Sequence, residues 1–435
     1  MSILPKKELS LFDSACIIVG IIIGAGVYQM APDIARGAGS LKGVLAIWCV
    51  GGLLSLCGAL SYAELATAYP KQGGDFVYLN RAYGRWAGFL FGWSQLTVVR
   101  PGDITIMAFA FATYARSVFD PLAAHPELSQ RIFATLAVLV LTLINIVGVK
   151  QGKWTQNLLT MVKAFGLLAI VAVAIFAGPN AQTTPVTLDP LPLSLALIFV
   201  LFTYGGWNEM AYVAAEVKNP RKNIVRALLV GTGAVMVLYL LVNGAFLYSL
   251  GYNGLAASEA VAADSVSKLF PVAGSRLISI LVCISALGAV NGLIFTGARI
   301  SYAVGREHRI FARLGSWNKR SGTPVAALVL QGAIAIALIM IFGGYIDAII
   351  YTAAVVYTFY MATSLAVIVL RFKEPSVERP YKVWGYPFTP AIFAAVCGFL
   401  IYSSVAYALE YKLVTLIILA VVLAAGILVY RVSER

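Results

Sequence analysis

The chain has 435 residues, 60% of them hydrophobic and 12% charged, and its mean hydropathy is +0.86. Soluble domains run at roughly 45–50% apolar and about 25% charged, so this balance excludes a soluble globular protein and predicts an all-α polytopic membrane protein. A formal net charge of +13 suggests a nucleic-acid partner, but the placement of the charges along the chain removes that reading.

A bilayer-crossing helix needs roughly 20 apolar residues. Twelve such spans are predicted, at 12–36, 42–69, 84–117, 129–149, 153–178, 191–217, 222–252, 273–305, 323–343, 345–371, 388–409 and 411–431, and residues 1–435 form a single transmembrane domain. Lys6-Lys7 precedes the first apolar run as a secretory leader's charges would. The spans that follow, and the glycines inside this one, argue for an uncleaved first helix. With the N-terminus inside, most of the 32 Lys and Arg fall on cytoplasmic segments, including Lys71, Arg81, Lys150, Lys153, Lys218, Arg221, Lys222 and Arg306. Outer segments receive Arg36, Lys42, Arg116, Arg131, Lys268, Arg276 and Lys412, while Arg100, Lys163 and Arg299 lie within or at the edge of spans. This bias places both termini in the cytoplasm of a cell-membrane protein and explains the basic balance without a charged partner.

In the first span, Gly24-Ala25-Gly26 sits inside the apolar run Ile17–Ala31. Glycine weakens a helix. A helix that unwinds there exposes carbonyls on one side of the break and N–H groups on the other, and in lipid these are tolerated only along a cavity. Paired donors and acceptors at that spacing fit the carboxylate and amine of an amino acid, with a helix N-terminus beginning near Gly26. The competing reading is close helix packing through Gly20 and Gly24. Glu64, at the inner end of the second span, is expected to pair with an inner-loop base in a closure network. Arg100 and Asp103 lie deep in the third span around Pro101. An intrahelical ion pair beside a kink and a role toward substrate both remain open for them.

Lys163 sits mid-way through the fifth span, about ten positions from either end, too deep to snorkel. An ionisable side chain at that depth is functional by default. In the sixth span, Gly205-Gly206 marks a second break, followed by Asn208 and Glu209. For Glu209, structural hydrogen bonding ranks ahead of proton relay or reception of a cationic substrate. Asn291-Gly292 in the eighth span carries two readings, pocket lining and packing. Ala256–Phe270 in the loop 253–272 is predicted to form a short amphipathic outer helix, and the Pro/Gly-punctuated loop from Arg379 to Pro387 separates ten spans from a final pair.

The cysteines, Cys16, Cys49, Cys57, Cys283 and Cys397, all fall in apolar spans, so no disulfide framework is expected. The histidines, His125 and His308, lack Cys/His company, so no metal site is expected; no P-loop appears, so gradients or exchange rather than ATP would drive any transport. No cofactor is implied, and the absence of a nucleophile–base pair disfavours an enzyme. The first ten spans contain a weak internal repeat. Aligning 24–31 with 204–211 superposes Gly26 on Gly206, Met30 on Met210 and Ala31 on Ala211. An odd number of spans per repeat inverts the second half, and broken helices at corresponding positions mark a transporter site at mid-membrane.

Ile21-Ile22-Ile23-Gly24-Ala25-Gly26-Val27 resembles the first-helix motif of the amino acid–polyamine–organocation superfamily. Ser61-Tyr62-Ala63-Glu64-Leu65 with Pro70-Lys71-Gln72-Gly73-Gly74-Asp75 resembles its second-helix signature. Phe202-Thr203-Tyr204-Gly205-Gly206-Trp207-Asn208 with Glu216-Val217-Lys218-Asn219-Pro220 resembles its sixth-helix signature, and Arg299 to Arg309 its inner end of helix eight. Val99-Arg100-Pro101 and the sixth-helix run lean toward the L-type amino-acid transporters, light chains of heteromeric transporters that have single-chain prokaryotic relatives. The resemblance implies a five-plus-five inverted repeat over 12–178 and 191–371, with helices one and six broken, two further helices at 388–431, and alternating access. It implies sodium-independent exchange of neutral L-amino acids. The alternatives are proton-coupled symport through Lys163 or Glu209, cationic amino-acid or polyamine transport, and a non-transporting receptor.

By the same resemblance, the substrate carboxylate meets donors at Gly24, Ala25 and Gly26, although Ala25 stands where many relatives have Ser. The amine meets carbonyls at Ile21, Ile22 and the stretch Phe202, Thr203, Tyr204, Gly205, with Asn208, Glu209 and Asn291 nearby. Phe202 is the aromatic lid, and Glu64 belongs to the inner gate. Lys163 places its ammonium where sodium-coupled cousins hold a cation, with Ser285 as partner. The outer loop Phe119–Leu128 lacks the cysteine that links heteromeric relatives, so no disulfide-linked heavy chain is expected. The partners are then an amino-acid substrate and membrane lipid, with the chain a monomer or homodimer.

Overall fold

The computed structural model describes residues 7–433 apart from 72, 180–190, 268, 272, 343 and 344. Both chain ends, with Lys6, and also Gln72 and Lys268, lie outside the described residues. The described residues are mostly helical, and their only β structure is isolated bridges. In chain order the helices are α1 (Leu11–Ile22), α2 (Gly26–Gln29), α3 (Ala31–Ala38), α4 (Leu41–Ala68), α5 (Asp75–Tyr83), α6 (Arg85–Ser94), α7 (Arg100–Val118), α8 (Pro126–Val147) and α9 (Val149–Phe176). They continue as α10 (Leu193–Thr203), α11 (Glu209–Tyr212), α12 (Pro220–Ala257), α13 (Val261–Ser267), α14 (Ala273–Glu307), α15 (Val325–Ile341), α16 (Tyr345–Lys373), α17 (Phe388–Tyr411) and α18 (Leu413–Ser433). Among the described residues, 10 helical stretches are long and apolar enough to cross a membrane, and the shorter apolar helices α10 and α15 stand where the sixth and ninth spans are predicted.

Local sequence explains where the helices start and stop. Ser10 opens α1 with a capping box: its hydroxyl accepts from Asp13 N at 3.1 Å, and Asp13 Oδ2 accepts from Ser10 N at 2.9 Å. The predicted third span is two helices joined by a π-turn, Gln95–Val99. Pro101 has no N–H to give to the preceding turn, and the Arg100 N–H reaches back to the Gln95 carbonyl. The predicted outer helix shrinks to α13, because α12 continues to Ala257 past a bend at Gly251 and takes up the first residues of that loop.

The first broken helix (Leu11–Gln29) and the third span (Arg85–Val118) are each 78% buried over their most apolar window, against 11% for α18. The broken helices and their neighbours therefore form the centre, and the last helix lines the outside. At the Lys/Arg-rich end of the bundle, buried charges tie separate elements together. Glu64 on α4 accepts from Arg371 Nη2 at 2.6 Å and from the Val383 N–H at 2.7 Å, with Arg379 Nε at 3.4 Å. Arg299 on α14 donates to Glu216 at 2.9 Å, and both are buried. Removing one partner of such a pair strands the other, at a cost of roughly 3–5 kcal/mol.

Candidate functional site

Helix α1 stops at Ile22 and α2 resumes at Gly26, and the carbonyls of Gly20, Ile22, Ile23 and Gly24 at the gap have side-chain donors from other helices. Lys163 Nζ on α9 donates to the Gly20 carbonyl, to Ile23 O at 2.7 Å and to Ser285 O at 3.3 Å. Ser285 Oγ on α14 donates to Ile23 O and Gly24 O, both at 3.0 Å. Tyr239 on α12 donates to Ile22 O at 2.8 Å. Three elements thus hold the break open, and the buried Lys163 ammonium is the largest charge among them. The N–H groups of Ala25, Gly26 and Val27 find no backbone acceptor among the described residues. Most of the acceptor side of the break is satisfied by side chains of neighbouring helices, and the donor side is left without a backbone partner among the described residues.

The second break spans Tyr204 to Asn208, between α10 and α11. Gly206 lies in the left-handed region at φ +115°, and a Cβ there would stand 2.7 Å from Ile21 Cγ2 and 3.2 Å from the Ile22 N. Only glycine meets both conditions, so the two breaks press against each other through bare backbone. They bound a cavity of about 90 Å³. Of the sequence-predicted site residues, Ile21, Ile22, Gly24, Gly26, Phe202, Thr203, Gly205 and Glu209 line it. Phe202 is half-buried at its wall.

Four predicted residues take other positions. Ala25 is buried behind the lining. The Tyr204 side chain turns away to give its hydroxyl to Trp48 O at 3.1 Å. Asn208 faces a smaller polar cavity below, where its Oδ1 accepts from Tyr360 at 2.8 Å and its amide donates to Tyr212 at 3.0 Å. Asn291 is fully buried and knits helices together: its amide donates to Gln156 Oε1 at 3.0 Å and its Oδ1 accepts from Asn145 at 2.8 Å. Its packing reading is the one this geometry matches.

The remaining wall comes from α7 (Asp103, Met107), α14 (Ala289, Leu293) and α16 (Thr352, Ala353, Val356, Tyr357, Tyr360). The α16 wall was not foreseen. Its available signal was the pair Tyr357 and Tyr360, polar-tipped aromatics three apart in an apolar span. Arg100 pairs across helices rather than with Asp103: its Nη1 lies 2.9 Å from Glu209 Oε1, both groups are buried, and Thr296 donates to Glu209 Oε2. Glu209 therefore serves in a structural ion pair that fixes α11 to α7 and α14. Asp103 lines both cavities, and among the described residues it has no ion pair and accepts no hydrogen bond. The lower cavity, of about 20 Å³, has room for roughly one water.

Residues 9–427 match the family model described as amino acid permease. Curated relatives align over most of the chain. The b(0,+)-type amino acid transporter 1 of Mus musculus is 33% identical over 414 residues, covering 92% of this chain and 83% of the relative. The large neutral amino acids transporter small subunit 2 of Homo sapiens is 32% identical over 392 residues, covering 87% of this chain and 72% of the relative.

Proposed function

The chain belongs to the amino acid permease family, and on that premise we propose that it carries neutral L-amino acids by sodium-independent exchange. Amino-acid transport follows from the family; the exchange mode, sodium independence and substrate charge are the proposal. The observation that carries it is the division of labour at the first break. Lys163 and Ser285 occupy the carbonyl side, which a coupling cation would otherwise have to satisfy, while the N–H groups at 25–27 stay available. The substrate carboxylate sits on those N–H groups, and the amine on carbonyls of the Phe202–Gly205 turn. Phe202 closes over it, and Glu64 with Arg371 and Arg379 forms the gate at the opposite end of the path. The halves 12–178 and 191–371 act as inverted repeats, with 388–431 outside the cycle. The basic end faces the cytoplasm of a cell membrane, with both termini there. No heavy chain is joined by a disulfide: Cys16 and Cys397 are buried, and the other cysteines lie half-buried in helices.

Counterflow in proteoliposomes tests this reading. Uptake of labelled amino acid that requires unlabelled amino acid inside, and is unchanged when choline replaces sodium, supports it. Binding without flux would make the chain a receptor, and uptake driven by a pH step into empty vesicles would make it a proton symporter. Asp103 favours a second reading of the substrate: a carboxylate without an ion pair on the cavity wall suits a side chain ending in a cation. Its discriminating result is inhibition of neutral amino-acid counterflow by arginine or lysine that Asp103→Asn abolishes.

A further inference from the structure

A recess of about 560 Å³ opens at the basic end, well away from the central cavity, between the segment before α1, the first turns of α9 and the segment after α11. Lys7, Lys150, Lys153 and Lys218 line it, with Glu8 and Asp13. Asp13 is already engaged: Lys153 Nζ lies 3.3 Å from its Oδ2 and Asn157 donates to its Oδ1 at 2.7 Å. Lys7, Lys150 and Lys218 are exposed and enter no ion pair among the described residues, so three cations face the single carboxylate of Glu8.

The rest of the recess identifies the anion. Trp154, on α9 beside Lys153, is 67% exposed, as an indole at a membrane interface is. Above it, Leu158, Met161, Val162, Phe165 and Leu168 continue up the same helix as an exposed apolar stripe. A free phosphate would use the lysines and leave the stripe unused. A phospholipid uses both, phosphate on the lysines and acyl chains along α9. We propose that this recess binds the headgroup of an anionic phospholipid. Backbone bonds give the site its integrity: Leu9 N donates to Glu216 O at 2.9 Å and Lys218 N to Leu9 O at 2.8 Å, so the two segments that carry Lys7 and Lys218 are strapped together. The bound lipid joins the inner ends of both broken helices to α9, the helix that carries Lys163.

The test uses the full chain in phosphatidylcholine vesicles containing an equal fraction of brominated phosphatidylglycerol or brominated phosphatidylcholine. The quenching due to Trp154 is the difference from Trp154→Phe. Phosphatidylglycerol is expected to quench Trp154 preferentially. Lys150→Gln with Lys218→Gln should cut that preference by about fivefold for each lysine removed at low ionic strength, and added sodium chloride should cut it further. Lys71→Gln with Lys382→Gln, which removes equal charge from the same end outside the recess, should retain it. Equal quenching by the two lipids in the unmodified chain overturns the proposal. So does an equal loss in the Lys71/Lys382 variant, which would make the effect one of overall surface charge. Relief of quenching by inorganic phosphate beyond that by chloride of the same ionic strength assigns the recess to free phosphate and overturns the lipid.

Discussion

Gly26 and Thr203 meet across the two helix breaks: a Cβ on Gly26 would lie 2.9 Å from Thr203 Oγ1 and 3.2 Å from its Cγ2. The space between Thr203 and the backbone of position 26 is therefore too narrow for any side chain there. Valine there fills that space with branched methyl groups and disfavours the open backbone. Gly26→Val is expected to insert and remain monodisperse, yet lose the thermal stabilisation that substrate confers by mass action, with counterflow reduced roughly tenfold or more. Normal uptake by this variant would move the carboxylate site elsewhere.

Lys163 holds two carbonyls of the first break from a neighbouring helix. In Lys163→Ala, the Gly20 carbonyl loses its donor, at roughly 1–3 kcal/mol if water does not reach it, while Ile23 O keeps only the Ser285 hydroxyl. Apparent substrate affinity should fall by about tenfold, with any pH dependence of transport flattened. Wild-type exchange should be the same in sodium and in choline. Strong stimulation by sodium would mean that the lysine does not stand in for a cation, and a fully active alanine variant would reduce it to packing.

How legible this site is from sequence depends on the cost of each residue in lipid. Gly24-Ala25-Gly26, Gly205-Gly206 and Lys163 are expensive in an apolar span, so they stand out without coordinates, and so does the helical class of the fold. The α16 wall does not stand out, because Thr352, Val356 and Tyr357 cost little whether they face lipid, a neighbouring helix or a cavity. The Arg100–Glu209 pair is hidden for another reason: 109 positions separate its partners, and the nearer acid, Asp103, offers a local pairing that the π-turn geometry does not use. A motif also fixes a backbone more firmly than a side chain. Tyr204 belongs to the sixth-helix run, yet its ring packs edge-on to Trp48, with its hydroxyl on that residue's carbonyl.

Phe202 lines the cavity half-buried, with its ring on the last turn of α10 before the break. As the proposed lid, such a ring would close over a bound solute without choosing it. Phe202→Ala should slow exchange more than it weakens equilibrium binding, because occlusion gates the cycle. Phe202→Trp should be tolerated best. An unchanged exchange rate in Phe202→Ala, measured beside binding in the same preparation, would remove the lid role.

Asp75 offers a pH-dependent test of the basic end. It opens α5, outside the spanning helices, and is fully buried; Tyr62 donates to its Oδ1, and Thr363 does so at 2.5 Å. Burial pushes Asp75 up to about 6 from an ordinary 3.8, while the Thr363 and Tyr62 hydroxyls pull the other way. A carboxyl with a raised folded value stabilises the state that buries it when protonated, and that contribution is lost as pH rises through about 6. At pH 7 the buried charge then costs about 3 kcal/mol relative to hydrated Asp75, about half of that cost remains at pH 5, and it vanishes only below the ordinary value of 3.8. Tyr62, Tyr78, Tyr212 and Thr363, which surround it, stay neutral over this range, and Arg100, Asp103 and Glu209 on the adjoining cavity are common to both proteins compared. Asp75→Asn keeps the shape and removes the charge. Its unfolding midpoint should exceed that of the wild type by a few degrees at pH 7, with the gap narrowing to about half by pH 5 and closing as pH falls toward 3.8. A gap that stays constant from pH 5 to 7 would mean that Asp75 does not titrate there, and a gap that widens on acidification would reverse the sign of the argument.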